Sequence, residues 1–216
     1  MRRPWRPAIR YGARSSSPEV GLTFGPEGGH TVHYPVDGGM AMNVVVIAPA
    51  QAPLVGSWIA PGRREDLLAL FAGTPPPHLA PLLARATEWV RWPLLDRDVT
   101  PHWGHGAHPL DGPATLIGDA AHPALPFLAQ GGAMALEDAA ALAAPLASAL
   151  RTGGSVSPVL RSFEMARHPR AARLVRASRE VGRNYHLAPP LSQARDLALS
   201  IAGSALTGRY DWLYRA

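Results

Sequence analysis

The sequence contains no cysteine. That excludes disulfide scaffolds, thiolate metal sites and thiol nucleophiles, and it fits a cytoplasmic protein. Lysine is absent too, so all 21 basic residues are arginine. Charged residues make up only 17% of the chain, which argues against wholesale disorder. No uninterrupted apolar run approaches the roughly 18 residues of a membrane span, so no membrane association is expected. The basic start is not followed by an apolar core of about 7–15 residues, so it is not a secretory signal.

What is present is a chain of 216 residues, 47% apolar, enough for one large or two small domains with a sizeable core. The net charge of +5 raises the question of nucleic acid. Arg2, Arg3, Arg6, Arg10 and Arg14 crowd the start without a balancing acid. Arg167, Arg170, Arg173, Arg176, Arg179 and Arg183 form a second set. Steps of three drift about 60° per step around a helix, so this set spirals and lines no single face. A solvated helix is the expectation, and no nucleic-acid partner. Residues 1–20, rich in Pro, Arg and Ser, are expected to be a poorly ordered basic leader.

Residues 21–100 divide into a sheet and short helices. Between 22 and 48, β-prone runs suggest three antiparallel strands. The last two flank Asp37-Gly38-Gly39, a hairpin turn by composition. Leu67, Leu68, Leu70 and Phe71 have helical spacing in "RREDLLALFAG", which Gly73 ends. "HLAPLLARAT" reads as a second short helix, and "WVRWPLLDRDV" returns to strand character. His102, His105 and His108 recur every third residue, with Asp111 nearby. On a Gly/Pro-rich loop nothing fixes their geometry, so no metal site is expected.

The chemistry concentrates in "TLIGDAAHPALPFLAQGGAMALEDAA", residues 115–140. "ATLIG" reads as a strand buried on both faces. Asp119 then lies at its carboxyl end, where open α/β sheets bind ligands, and a carboxylate there suits the hydroxyls of a sugar or polyol. Gly118 permits close backbone approach. Gly131 and Gly132 open an Ala-rich helix, whose unpaired N–H groups favour an anion or an electron-rich oxygen. The same residues also suit a plain strand–loop–helix with an Asx turn, and taken alone they leave both readings open.

The segment closely resembles the second FAD motif of the class A flavoprotein aromatic hydroxylases, in which a Gly-Asp-Ala-Ala-His-Pro run precedes a Gly-rich helix start. It is most similar to the salicylate-hydroxylase and 3-hydroxybenzoate-6-hydroxylase branch. "GPEGGHTVHYPVDGG" resembles the family's substrate-domain sheet, "RWPLLDRD" the segment feeding the motif strand, and "EMARHPRAARLVRASREVGRNYHL" its long C-terminal helices. The resemblance spans residues 22–216. It implies a mixed α/β fold of the FAD/NAD(P)-binding type, with residues 21–100 as the substrate-domain sheet and helices and 101–216 as the FAD-binding part. It also implies that Asp119, beside Gly118, bonds the ribityl or diphosphate part of FAD. The N–H groups of Gly131, Gly132, Ala133 and Met134 would face the flavin pyrimidine edge. The implied chemistry is FAD reduction by NAD(P)H, a flavin hydroperoxide, and hydroxylation of a small phenolic or aromatic substrate.

That chemistry wants a base. On "HTVHYP" the candidate is His33, with His30 the reserve, since an imidazole near neutral pKa suits such work. A strand histidine satisfied locally is the competing reading. His122 reads as structural. The family's N-terminal βαβ unit with G-x-G-x-x-G is missing, so the expectation is the C-terminal half of such a hydroxylase. Three readings follow: an incomplete FAD-dependent monooxygenase; a non-catalytic half that self-associates or needs the missing N-terminal half; and an arginine-rich nucleic-acid binder.

Overall fold

The computed structural model describes residues 20–24, 29–48, 59–71, 75–86, 88–104 and 113–215. The basic leader, the end of the first helix at Gly73, and His105, His108 and Asp111 lie outside them. Among the described residues no group of three His, Asp or Glu could hold a metal. The chain forms two compact units. One runs to Leu94 and takes in Arg183–Leu197. The other comprises Leu95–Gly182 and Ala198–Ala216. The expected boundary was between residues 100 and 101.

The first unit is built on a three-stranded antiparallel sheet in the order β1 (Gly21–Phe24), β2 (His30–Val36), β3 (Ala41–Ile47). These are the three strands expected between 22 and 48. Asp37–Gly39 closes the β2–β3 hairpin, with positive φ at Asp37 (53°), Gly38 (61°) and Gly39 (88°). Asp and Gly accept that backbone more readily than other residues, so they end β2 here. Alternation sends Thr31 and His33 of β2, with Val44 and Val46 of β3, to one side. On that side Val44 and Val46 join Leu67, Phe71, Leu79, Leu83 and Trp89 in one core cluster. Helices α1 (Arg64–Ala69) and α2 (Ala80–Arg85) supply Leu67 and Leu83. Strand character in "WVRWPLLDRDV" is confined to β5 (Trp89–Arg91), which pairs with β4 (Ala60–Gly62). Pro61 and Gly62 hid β4 from a sequence reading, because both residues are depleted in strands.

The second unit is helical. It contains α3 (Gly131–Arg151) and α4 (Val156–Tyr185) as far as Gly182, and the later part of α5 (Leu191–Thr207). Phe163, Ala171 and Leu174 of α4 pack with Trp103, Ala121, Met134 and Leu213. A 3₁₀ segment, Gly208–Tyr214, is fastened to α4. Arg170 donates to the carbonyls of Trp212 (3.0 Å) and Leu213 (3.0 Å), and Arg173 lies 4.0 Å from the centre of the Trp212 ring. The spiral of arginines is thus largely engaged within this unit: Arg179 also pairs with Asp96 and Asp98.

One expectation needs correction. "ATLIG" is not a buried strand. Ile117 is extended, but 114–117 enter no ladder among the described residues, Gly118 already belongs to the following turn, and Leu116 and Ile117 are 37% and 43% exposed. A short apolar run becomes a buried strand only where neighbours pair with it, and none does among the described residues. Helix α3 is long and apolar enough to cross a membrane by length and composition alone. Its apolar run is broken by Glu137 and Asp138, whose ion pairs fasten that face to α4.

Candidate functional site

The site is built around the turn Gly118–Ala120. Gly118 has φ +56°, and a Cβ there would lie 3.2 Å from Ala135 Cβ, so both the backbone and the packing favour glycine. Its carbonyl accepts from the amides of Ala121 and His122, both at 2.9 Å. Its own N–H donates to Asp138 Oδ2 at 2.9 Å. The turn is closed from both sides, and the Asp119 carboxylate is left exposed.

That carboxylate sits at the start of α3, with Oδ1 3.7 Å from where a Cβ on Gly131 would be. Around Gly132 there is open space. No side chain caps the helix, and its first turn carries no acid. Gly131, Gly132 and Ala133 therefore present uncapped amides at the positive end of a 21-residue helix. Met134 differs: its amide donates to the Gln130 carbonyl at 2.9 Å, and its side chain is buried in the core. The structure thus brings together Gly118, Asp119, Gly131, Gly132 and Ala133. An acceptor-only carboxylate beside bare helix amides, with no Cβ in the way, fits a ligand carrying both hydroxyls and electron-rich oxygens. The ribityl chain and pyrimidine edge of a flavin meet that description.

Behind the turn lies a buried network that a sequence reading misses. Asp138 is fully buried, and both its oxygens are bonded. Oδ2 accepts from Gly118 N–H and from His122 Nε2 (2.6 Å), and Oδ1 accepts from Arg167 Nε (2.8 Å). Burial pushes this carboxyl up, but the Gly118 amide, Arg167 and His122 outweigh it and hold it below the usual carboxylate range. Glu137, next in sequence, accepts from Arg170 (2.6 Å to each oxygen) and from Arg167 (2.8 Å). The Arg170 hydrogen bonds lower its pKa most, burial works against them, and Arg167 adds to the lowering. The available signal was an acidic pair inside the Ala-rich run of α3, a poor place for two carboxylates without partners.

The two candidate bases lie in the other unit, on opposite faces of β2. His30 is 3% exposed, with Nδ1 3.0 Å from His186 Nε2 and its ring edge-on to Tyr185. Burial, then His186, then Arg195 lower its pKa to about 3. His33 is 9% exposed on the core side and lies near the His78 ring. Burial, then His78, lower its pKa as well. Its Nδ1 is buried with no hydrogen-bond partner among the described residues.

Comparison with known proteins gives this geometry a context. Residues 101–178 match the family described as FAD binding domain. The chain is 36% identical over 189 residues to 3-hydroxybenzoate 6-hydroxylase of Klebsiella oxytoca, covering 86% of this chain and 44% of that protein. It is 38% identical over 200 residues to 3-amino-4-hydroxybenzoate 2-monooxygenase PtnB3 of Streptomyces platensis, covering 91% and 47%. Among solved structures, a salicylate hydroxylase substrate complex superposes with a TM-score of 0.70 at 26% identity, covering 91% of this chain and 47% of that one. The chain is a relative of the flavin-dependent aromatic hydroxylases and spans under half the length of those it matches here.

Proposed function

We propose that this relative of the flavin-dependent aromatic hydroxylases supplies the flavin-facing turn and helix of an FAD-dependent, NAD(P)H-linked monooxygenase acting on a small aromatic substrate in the cytoplasm. The observation that carries the reading is the juxtaposition of the exposed Asp119 carboxylate with the uncapped, Cβ-free start of α3. FAD, when bound, supplies the redox and oxygen chemistry. The chain's own residues bind and orient. Asp119 accepts hydrogen bonds from ligand hydroxyls. The amides of Gly131, Gly132 and Ala133 donate to carbonyl oxygens, and the helix dipole favours negative charge there.

Proton handling falls to the histidines of β2. His30, neutral down to about pH 3, serves as a hydrogen-bonding group. His33 takes the role of base, because its Nδ1 has no partner to give up. A pH–rate profile of His33→Asn tests this: loss of the acidic limb supports the role, and an unchanged profile removes it.

A second reading draws on the exposure of Leu116, Ile117 and Leu136 (74%). An unpaired extended apolar segment invites pairing with another chain. In this reading the chain is half a protein that self-associates or works only with a separate partner carrying the rest of the cofactor site. One experiment separates the two. The chain is purified alone, and also together with the part of the Klebsiella oxytoca relative that it does not cover. Flavin absorbance and aromatic-dependent NAD(P)H oxidation are then measured. A yellow, active preparation of the chain alone supports the monooxygenase reading, and colour and activity only in the second support the half-protein. Colourless protein in both would overturn the cofactor assignment.

A further inference from the structure

We propose that Asp138 is a positioning residue for the candidate cofactor turn: its buried carboxylate holds the Gly118 amide, and so sets where the Asp119 carboxylate stands relative to the start of α3. The inference deepens the preceding reading and rests on it for what the turn holds.

The geometry leaves few alternatives. Asp138 lies seven residues beyond Gly131 on the same helix, about two turns in. Its Oδ2 takes the Gly118 N–H at 2.9 Å, while His122, four residues after Gly118, donates to the same oxygen at 2.6 Å. Both ends of the Gly118–His122 turn are therefore pinned to one oxygen of α3. The backbone bonds from Ala121 and His122 to the Gly118 carbonyl make the turn rigid between those pins. Asp119 lies between them and makes no hydrogen bond or ion pair among the described residues, so its position is set by its neighbours. Arg167 holds the other oxygen of Asp138 at 2.8 Å and neutralises the charge that makes the grip strong. Gly118 makes this bond at φ +56°, a backbone conformation that residues with a Cβ rarely adopt. Positive φ, tight packing on Ala135 and the buried carboxylate form one device.

Asp138→Asn tests it. The amide group replaces one acceptor with a donor; Arg167 can only donate and keeps the remaining oxygen, so the Gly118–His122 side loses its acceptor. Glu137→Gln is the control, since it perturbs Arg167 and Arg170 but leaves the Asp138–Gly118 bond in place. Hydrogen exchange of individual amides is followed by NMR on the full chain. The expected result is Gly118 exchange at least tenfold faster in Asp138→Asn, with mid-α3 amides still protected, and little change in Glu137→Gln. Unchanged Gly118 exchange, or equal loss along all of α3, would overturn positioning.

Should Asp138→Asn fail to fold, the unaltered chain decides. A through-hydrogen-bond scalar coupling between the Gly118 nitrogen and the Asp138 carboxyl carbon supports the proposal, and its absence at a slowly exchanging amide overturns it. In the protein completed by the relative's remaining part, FAD affinity of folded Asp138→Asn should fall at least tenfold; equal affinity assigns Asp138 to stability alone. Absence of FAD binding by both proteins would sink the cofactor reading, while the exchange data still judge the positioning.

Discussion

The sheet unit buries imidazoles beside other imidazoles; the helical unit buries carboxylates together with guanidinium groups. His30 and His33 pack against other histidines, and burial pushes both toward the neutral form. Asp138 and Glu137 stay charged because Arg167 and Arg170 reach them across the α3–α4 packing. The two solutions to buried polarity differ in what they tolerate. A neutral imidazole costs little to bury at neutral pH but must be paid for in acid. A buried ion pair persists over a wide pH range, but removing one member leaves the other stranded.

The largest effect should come from removing the buried acceptor behind the turn. Asp138→Ala leaves Arg167 with Glu137 alone and strips the Gly118 amide and His122 of their acceptor, and about 3–5 kcal/mol of stability should be lost. Urea unfolding followed by far-UV circular dichroism measures it. A loss below about 1 kcal/mol would mean that the network relaxes easily and that the contrast between the units is overstated.

Acid should break the sheet unit first. In the unfolded chain His30 binds its proton near pH 6.5, and in the folded chain only near 3. Between those values the unfolded state holds more protons, so stability falls as pH drops below about 6.5, by on the order of a few kcal/mol in all. His33 shifts the same way. Asp138 and Glu137 have lowered pKa values, so their contribution is present at neutral pH and lost only below the ordinary carboxylate range. Hydrogen exchange with mass spectrometry at pH 7, 6 and 5 should show β2 and β3 losing protection while α3 and α4 keep theirs. Simultaneous loss in both units would contradict the comparison.

A smaller effect sharpens the picture of the helical unit. A Cβ on Gly182 would lie 2.3 Å from the Phe127 ring, which follows the turn in sequence. Gly182→Ala should cost about 1–3 kcal/mol through overpacking. Adding Phe127→Ala should make the glycine substitution nearly neutral, and a cycle of thermal unfolding measurements gives the coupling.

How far the sequence reveals all this depends on range. The hairpin at Asp37-Gly38 was legible because its chemistry is local, and so was the helix opened by Gly131-Gly132. Asp119 could be singled out as a candidate ligand residue only through the pattern around it. The state of "ATLIG" was not, because a strand exists only with its neighbours. Nor were the partners of Asp138, because Arg167 lies 29 residues away on another helix. His30 and His33 could be placed on opposite faces of β2 by alternation alone. Their neighbours His186 and His78 come from distant segments, so the lowered proton affinity was out of reach of any local pattern.

The central claim is that the Gly118–Asp119 turn serves FAD, and Asp119→Ala tests it most directly. Asp119 is exposed and makes no hydrogen bond among the described residues, so its loss should change stability by no more than about 0.5 kcal/mol. The measurement is FAD titration, by quenching of flavin fluorescence, of the chain completed with the relative's remaining part. The account predicts that Asp119→Ala weakens FAD binding by about 1.5–3 kcal/mol, roughly 10- to 150-fold, at unchanged thermal stability. Equal affinity in the variant and the unaltered protein would contradict it.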